Sequence, residues 1–131
     1  MSMSLCYFVF NNLKVHPFLI GDAPLPGFEL LSWDNYTYTE GTLWKLDFED
    51  AGFSKIGIHK VHGQLWKTED SKQIHFLEKC FGVNKGLCYP IEIDVTVEIG
   101  DSDKPKVKAT TFALETIRPS YEIIKEGKWR F

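Results

Sequence analysis

Long hydrophobic runs are missing from this 131-residue chain, and no stretch approaches the ~20 apolar residues that a membrane-spanning helix needs. The apolar run Leu5–Phe10 lacks a basic flank and is too short for a signal-peptide core, so it is expected to be the buried first strand of a cytoplasmic protein. Cysteine is scarce. Cys6, Cys80 and Cys88 are an odd set without a C-x-x-C pair, which argues against a disulfide framework or a zinc site and for thiols in a reducing compartment. A basic stripe is also lacking. Fifteen Lys and Arg stand against eighteen Asp and Glu, and the densest basic stretch, Lys104–Lys108, holds three lysines. A phosphate-reading surface would carry more, so a nucleic-acid partner is not expected. No P-loop, G-x-G-x-x-G or nucleophile elbow occurs. His59 and His62 are three apart in a strand pattern and would point to opposite faces, so no metal site is expected.

What is present is a globular composition, with 44% hydrophobic and 25% charged residues. That length and composition predict a single domain over residues 1–131. Leu5–Phe10 reads as a strand, followed by a turn at Asn11-Asn12. Pro24, Pro26 and Gly27 lead into a second strand, Phe28–Trp33, and Asp34-Asn35 forms the next turn. Tyr36–Phe48 is rich in β-formers, with a break at Glu40-Gly41. Ile56–Trp66 reads as one strand whose apolar parity shifts between Ile58 and Val61, predicting a bulge near His59–Lys60 or burial on both faces. The helix falls at Thr68–Cys80, with Thr68 as N-cap, acids in the first turn and Gly82 as the stop. Its apolar stripe is Ile74, Leu77 and Phe81. Ile91, Ile93, Val95, Val97 and Ile99 alternate without error, and Val107–Leu114 returns as the hairpin partner. Glu92, Asp94 and Glu98 then share a solvated outer face rather than forming a carboxylate site. The balance is an α+β domain with a bent or barrel-like sheet.

Aromatics are abundant: ten Phe, five Tyr and four Trp. They serve either a core alone, or a core together with the wall of a cavity that grips a flat or amphipathic ligand.

In order along the chain, several segments resemble the gamma-glutamylcyclotransferase-like family. Tyr7-Phe8-Val9-Phe10-Asn11-Asn12-Leu13 occupies the place of that family's first strand and its Tyr-Gly-Ser/Thr-(Asn)-Leu loop. Val61-His62-Gly63-Gln64-Leu65-Trp66 is similar to its Val-x-Gly-x-Leu-Tyr/Trp strand. Leu77-Glu78-Lys79-Cys80-Phe81-Gly82 matches its Leu-Asp-x-x-Glu-Gly helix end, and Gly86-Leu87-Cys88-Tyr89 with Ile91–Ile99 matches the loop and long strand after it. Tyr121-Glu122-Ile123-Ile124-Lys125-Glu126-Gly127 resembles the closing Tyr-x-x-x-Ile-x-x-Gly segment. The resemblance covers most of the chain and implies a curved mixed sheet or small β-barrel with one main helix.

It also implies a chemistry. Family enzymes release an amine or amino acid from a gamma-glutamyl group as 5-oxoproline. The motif's glutamate takes a proton from the attacking α-amine, and amides of the first loop hold the substrate. Both features are altered here. The base position is Phe81, which accepts no proton, and the loop glycine is Asn11. Losing a positioned acid–base group costs about 10²–10⁴ in rate.

The resemblance therefore implies a non-catalytic binder of a small molecule, anionic, nucleotide-like or amino-acid-like, held by Phe10, Asn11, Asn12, Leu13, Phe81, Tyr89 and Tyr121 without a cofactor. A sequestering pseudoenzyme, for example a viral one, is one version. The alternatives are an active cyclotransferase with Glu78 as a relocated base, and a protein-interaction module.

Overall fold

The error-free alternation from Ile91 to Val97 builds the central hairpin, because one face of each strand must leave water. The computed structural model describes residues 5–10, 19–20, 23–24, 28–32, 36–47, 51–80, 82–98 and 104–128. In chain order the elements are β1 (Leu5–Val9), β2 (Leu19–Ile20), β3 (Ala23–Pro24), β4 (Phe28–Ser32), β5 (Thr37–Lys45), β6 (Ala51–His62) and β7 (Gln64–Thr68). They are followed by α1 (Ser71–Cys80), a single 3-10 turn at Val83–Lys85, β8 (Cys88–Val97), β9 (Lys106–Leu114) and β10 (Glu122–Ile123). Strands β8 and β9 pair antiparallel from Cys88↔Leu114 to Thr96↔Lys106. Ile93 and Val95 are buried, while Glu92 and Asp94 face solvent beside Lys108.

All strands except β2 and β3 join one mixed sheet in the order β10-β5-β6-β9-β1-β7-β4, and β8 pairs with both β5 and β9. The pairings β5–β6, β6–β9, β9–β8 and β8–β5 return on themselves, so the sheet has to curve. The fold class is α+β: among the described residues, a curved mixed sheet with one α-helix that does not close into a clean barrel. Phe8, Phe53, Leu43, Val61, Val95, Trp66 and Phe112 are the large apolar side chains most deeply buried. Strand β1 is buried on both faces from Tyr7 to Val9, and Phe10 just beyond it is buried too, which accounts for the unbroken apolar run.

Three sequence expectations are corrected. Ile56–Trp66 is not one strand: β6 ends at His62, and β7 begins at Gln64. Strand β6 pairs with β5, whereas β7 pairs with β1 and β4. Gly63 is the switch point, pressed so closely on the Val9 carbonyl and the Phe8 ring that a Cβ there would overlap both. The parity shift does mark a bulge, but it lies at Lys55–Ile58, before His59. A one-residue step on β5, Gly41 to Thr42, is matched by a five-residue step on β6, His59 back to Ser54. Finally, α1 starts at Ser71. Asp70 caps it, its carboxylate accepting from the Lys72 amide at 2.9 Å, while the Thr68 hydroxyl accepts from the Asp70 amide at 3.2 Å. Gly82 ends the helical stretch as expected, at φ 70°, with its amide on the Lys79 carbonyl. The expected turns at Asn11-Asn12 and Asp34-Asn35 lie outside the described residues.

Candidate active-site region

Strand β7 runs antiparallel to β1, with Thr68 opposite Leu5, so it delivers the chain to α1 at the N-terminal end of β1. The helix begins just beyond Thr68, at Ser71. Its last turn brings Glu78 close enough for its carboxylate to act on Tyr7 in the middle of β1. Tyr7 is buried, and its ring stacks on Phe112 of β9 at 6.2 Å between centroids and 12° between planes. Burial holds the Tyr7 hydroxyl above its ordinary pKa, and the Glu78 charge adds a smaller push in the same direction. Both effects keep the hydroxyl protonated, so it remains a hydrogen-bond donor. Glu78 is half-buried, and its Oε1 lies 3.6 Å from Nδ1 of the exposed His75 one turn earlier. That outer pair is too solvated to fix Glu78 strongly.

The turn after α1 is shaped by two glycines in the left-handed region, Gly82 at φ 70° and Gly86 at φ 73°, where an L side chain would be strained. The Leu87 amide closes this turn on the Gly82 carbonyl at 3.1 Å, and the Leu87 carbonyl accepts from Glu115 at 2.9 Å. The chain is thereby handed to β8 at Cys88.

Register then decides which side chains share a face. Cys88 pairs with Leu114, which has the parity of Phe112, so the buried Cys88 lies on the Tyr7 side of the sheet. Tyr89 pairs with Ala113, which pairs on its other edge with Phe53, and the Phe53 ring lies 5.8 Å from that of Phe10. Phe10 and Tyr89 are thus linked through Ala113 and Phe53 on the opposite face, Phe10 buried and Tyr89 exposed. Tyr121 is buried in the core, next to a C-terminal segment tied across β5 and β6. The ties run from the Ile124 amide to the Leu43 carbonyl and from the His62 amide to the Gly127 carbonyl, both 2.8 Å. Asn11, Asn12, Leu13 and Phe81 lie outside the described residues.

Tyr7 and Cys88 carry no signal of their own in the sequence. Tyr7 stands inside the quoted first motif, but the motif does not show that the Glu78 charge reaches it. The choice of Cys88 over Tyr89 follows from the β8–β9 register. His59 is exposed and His62 half-buried against Tyr38, 5.9 Å between ring centroids. Among the described residues no group of three His, Cys, Asp or Glu is placed to hold a metal. Cys6 and Cys88 are thiols, and no described helix is long and apolar enough to cross a membrane.

No family model matches the sequence, and no curated protein matches it by sequence comparison. Solved structures do match the fold. An AIG2-like protein from Mus musculus superposes with a TM-score of 0.69 at 13% identity, over 97% of this chain and 88% of that one. YkqA from Bacillus subtilis gives a TM-score of 0.67 at 16% identity; the match covers 97% of this chain but only 40% of YkqA. A gamma-glutamyl cyclotransferase gives 0.55 at 15% identity, over 92% of this chain and 70% of that one. The chain has the gamma-glutamylcyclotransferase and AIG2-like fold.

Proposed function

We propose that this chain is a divergent, single-domain member of the gamma-glutamylcyclotransferase-like family, cytoplasmic, that binds a small molecule without catalysing the cyclisation. The observation that carries the reading is Phe81, directly after α1 and before the left-handed Gly82, at the position of the motif's proton-carrying glutamate. A phenyl ring there offers an apolar wall. A buried unpaired carboxylate would cost several kcal/mol unless it stayed neutral, whereas the ring carries no such penalty. The ligand is accordingly flatter, or less cationic, than a free α-amine. In this reading Asn11, Asn12 and Leu13 supply amide donors and Phe81 the aromatic wall, while Phe10 and Tyr121 are held in the core and Tyr89 lies on the face opposite Tyr7. Tyr7 adds a protonated hydroxyl, and Glu78 a carboxylate whose charge reaches it. The fold supports the assignment to this class, and the altered base position supports binding over turnover.

The test is direct. Incubation with gamma-glutamyl amino acids, gamma-glutamylamines or glutathione should yield no 5-oxoproline above the uncatalysed rate. Robust turnover that disappears in Glu78→Gln would overturn the reading and make Glu78 the base. Calorimetry with a metabolite and nucleotide panel should find a ligand whose affinity falls tenfold or more in Phe81→Glu. Equal affinities for the two proteins would remove Phe81 from the site.

A further inference from the structure

The bulge at Lys55–Ile58 has no part in that site, and it is held in a defined shape. The Ile56 carbonyl accepts from the Thr42 hydroxyl at 2.7 Å and from the Ser54 hydroxyl at 3.3 Å. Gly57 sits at φ +129° so close to Thr42 that a Cβ would collide with its hydroxyl. Two isoleucines are thereby presented to water, Ile56 at 80% and Ile58 at 88% exposure. These are the most exposed large apolar side chains among the described residues. Such a pair in solvent is unfavourable unless something covers it.

Lys55 and Lys60, which flank the two isoleucines along β6, line a groove of about 570 Å³ together with residues of β5, β8 and β9. The groove opens where β5 and β8 part company. They pair only at Thr37↔Val97 and Tyr38↔Thr96, after which the Thr39 hydroxyl reaches the Asp94 carbonyl at 2.8 Å. Five lysines and three carboxylates line it, a positive excess in a chain whose net charge is −3. The carboxylates of Glu92 and Asp94 are engaged by Lys108, and Lys104 lies 4.0 Å from Glu98. Lys55, Lys60 and Lys106 form no ion pair among the described residues. Lys60 lies over the Tyr38 ring at 4.6 Å.

From this juxtaposition we infer that the groove between β5 and β8, with the Ile56-Gly57-Ile58 bulge as its apolar lip, docks an extended acidic segment of a partner protein. The segment's carboxylates would meet Lys55, Lys60 and Lys106, and an aliphatic side chain between them would cover Ile56 and Ile58. Charge complementarity selects this occupant. A narrow segment can set its carboxylates on Lys55, Lys60 and Lys106 and an uncharged residue against Glu40, whereas the headgroups of a flat anionic membrane could not avoid Glu40, Glu92 and Asp94. A second copy related by a two-fold axis would set one lysine cluster against the other.

The inference is independent of the small-molecule reading, and its test leaves that site untouched. A displayed random-peptide library is panned on the full chain, and the recovered peptides are synthesised with a fluorescent label for anisotropy. The selected sequences should combine Asp or Glu with aliphatic residues. Their binding should weaken as salt rises, because the ion contacts are exposed. Ile58→Ser, a fully solvated position that leaves the fold intact, should weaken binding about tenfold. Lys106→Glu should weaken it at least as much, while Lys72→Glu on α1 should change nothing. No enrichment, or peptides indifferent to both Ile58→Ser and Lys106→Glu, would overturn the inference. So would uptake of the wild type by anionic phospholipid vesicles that Ile58→Ser abolishes, which makes the surface lipid-facing. A concentration-dependent dimer lost in Ile58→Ser would overturn it in favour of self-association.

Discussion

Tyr7 is a core side chain whose hydroxyl also feels a charge from the helix. Its ring is packed on Phe112 while its hydroxyl sits in the field of Glu78. Because burial and that charge raise its pKa above 10.0, the folded state holds the proton more tightly than the unfolded chain does. The stabilisation is therefore fully present below the unfolded value and is lost as pH rises through the folded one. Denaturant midpoints measured from neutral to strongly alkaline pH should fall on the alkaline limb for the wild type, and this fall should be shallower in Tyr7→Phe. Glu78→Gln should flatten it only slightly, since burial is the larger cause. At neutral pH Tyr7→Phe should cost no more than about 1 kcal/mol, because the stacked ring remains. An unchanged alkaline limb in Tyr7→Phe would place the titration elsewhere.

At the scale of elements, the hairpin β8–β9 was legible because its period-two pattern is unbroken and has no competing reading. The division of Ile56–Trp66 into β6 and β7 was not. Nothing in Val61-His62-Gly63-Gln64 announces that the chain changes partners there, and Gly63 is required by the close approach of Val9 and Phe8, which are distant in sequence. The bulge was legible as a parity change but not in position. The extra residues are held by Thr42, on a strand that sequence alone does not place beside them. The helix start moved from Thr68 to Asp70 for a similar reason, since β7 extends through Thr68 to pair with Leu5. Asp70 then takes over the capping, and Asp70→Ala should destabilise the protein by about 1 kcal/mol in thermal or urea melts. Thr68→Val should leave the helical signal in place while loosening the approach to α1. A larger loss from Thr68→Val than from Asp70→Ala would return the cap to Thr68.

For the molecule as a whole, the order of loose motifs was enough to anticipate the fold, because each motif falls at an element boundary that the sheet topology needs. The candidate site was legible only as positions. Which of Cys88 and Tyr89 faces Tyr7 depends on register, and the influence of Glu78 on Tyr7 depends on where the fold sets the last turn of α1. The topology also bears on cooperativity. Strand β6 joins the two wings of the sheet together with β8, pairing with β5 on both sides of its bulge and with β9 at Phe53↔Ala113. Phe53 is fully buried at that junction, opposite Leu43 and 5.8 Å from the Phe10 ring. Phe53→Ala should cost about 3–5 kcal/mol, a large share of the ~5–15 kcal/mol that holds a domain of this size together. Phe53→Leu keeps most of the volume and should cost less than about 2 kcal/mol, which provides a folded variant for comparison. Since both wings meet at this residue, urea unfolding of Phe53→Leu should remain a single transition, with tryptophan fluorescence and far-ultraviolet circular dichroism coinciding at a lower midpoint. Trp44 on β5 and Trp66 on β7 report on the two wings separately, so single-tryptophan versions sharpen the comparison. If Trp66 reports unfolding at a lower urea concentration than Trp44, the wings are independent units and β6 is a hinge between them rather than a shared core strand.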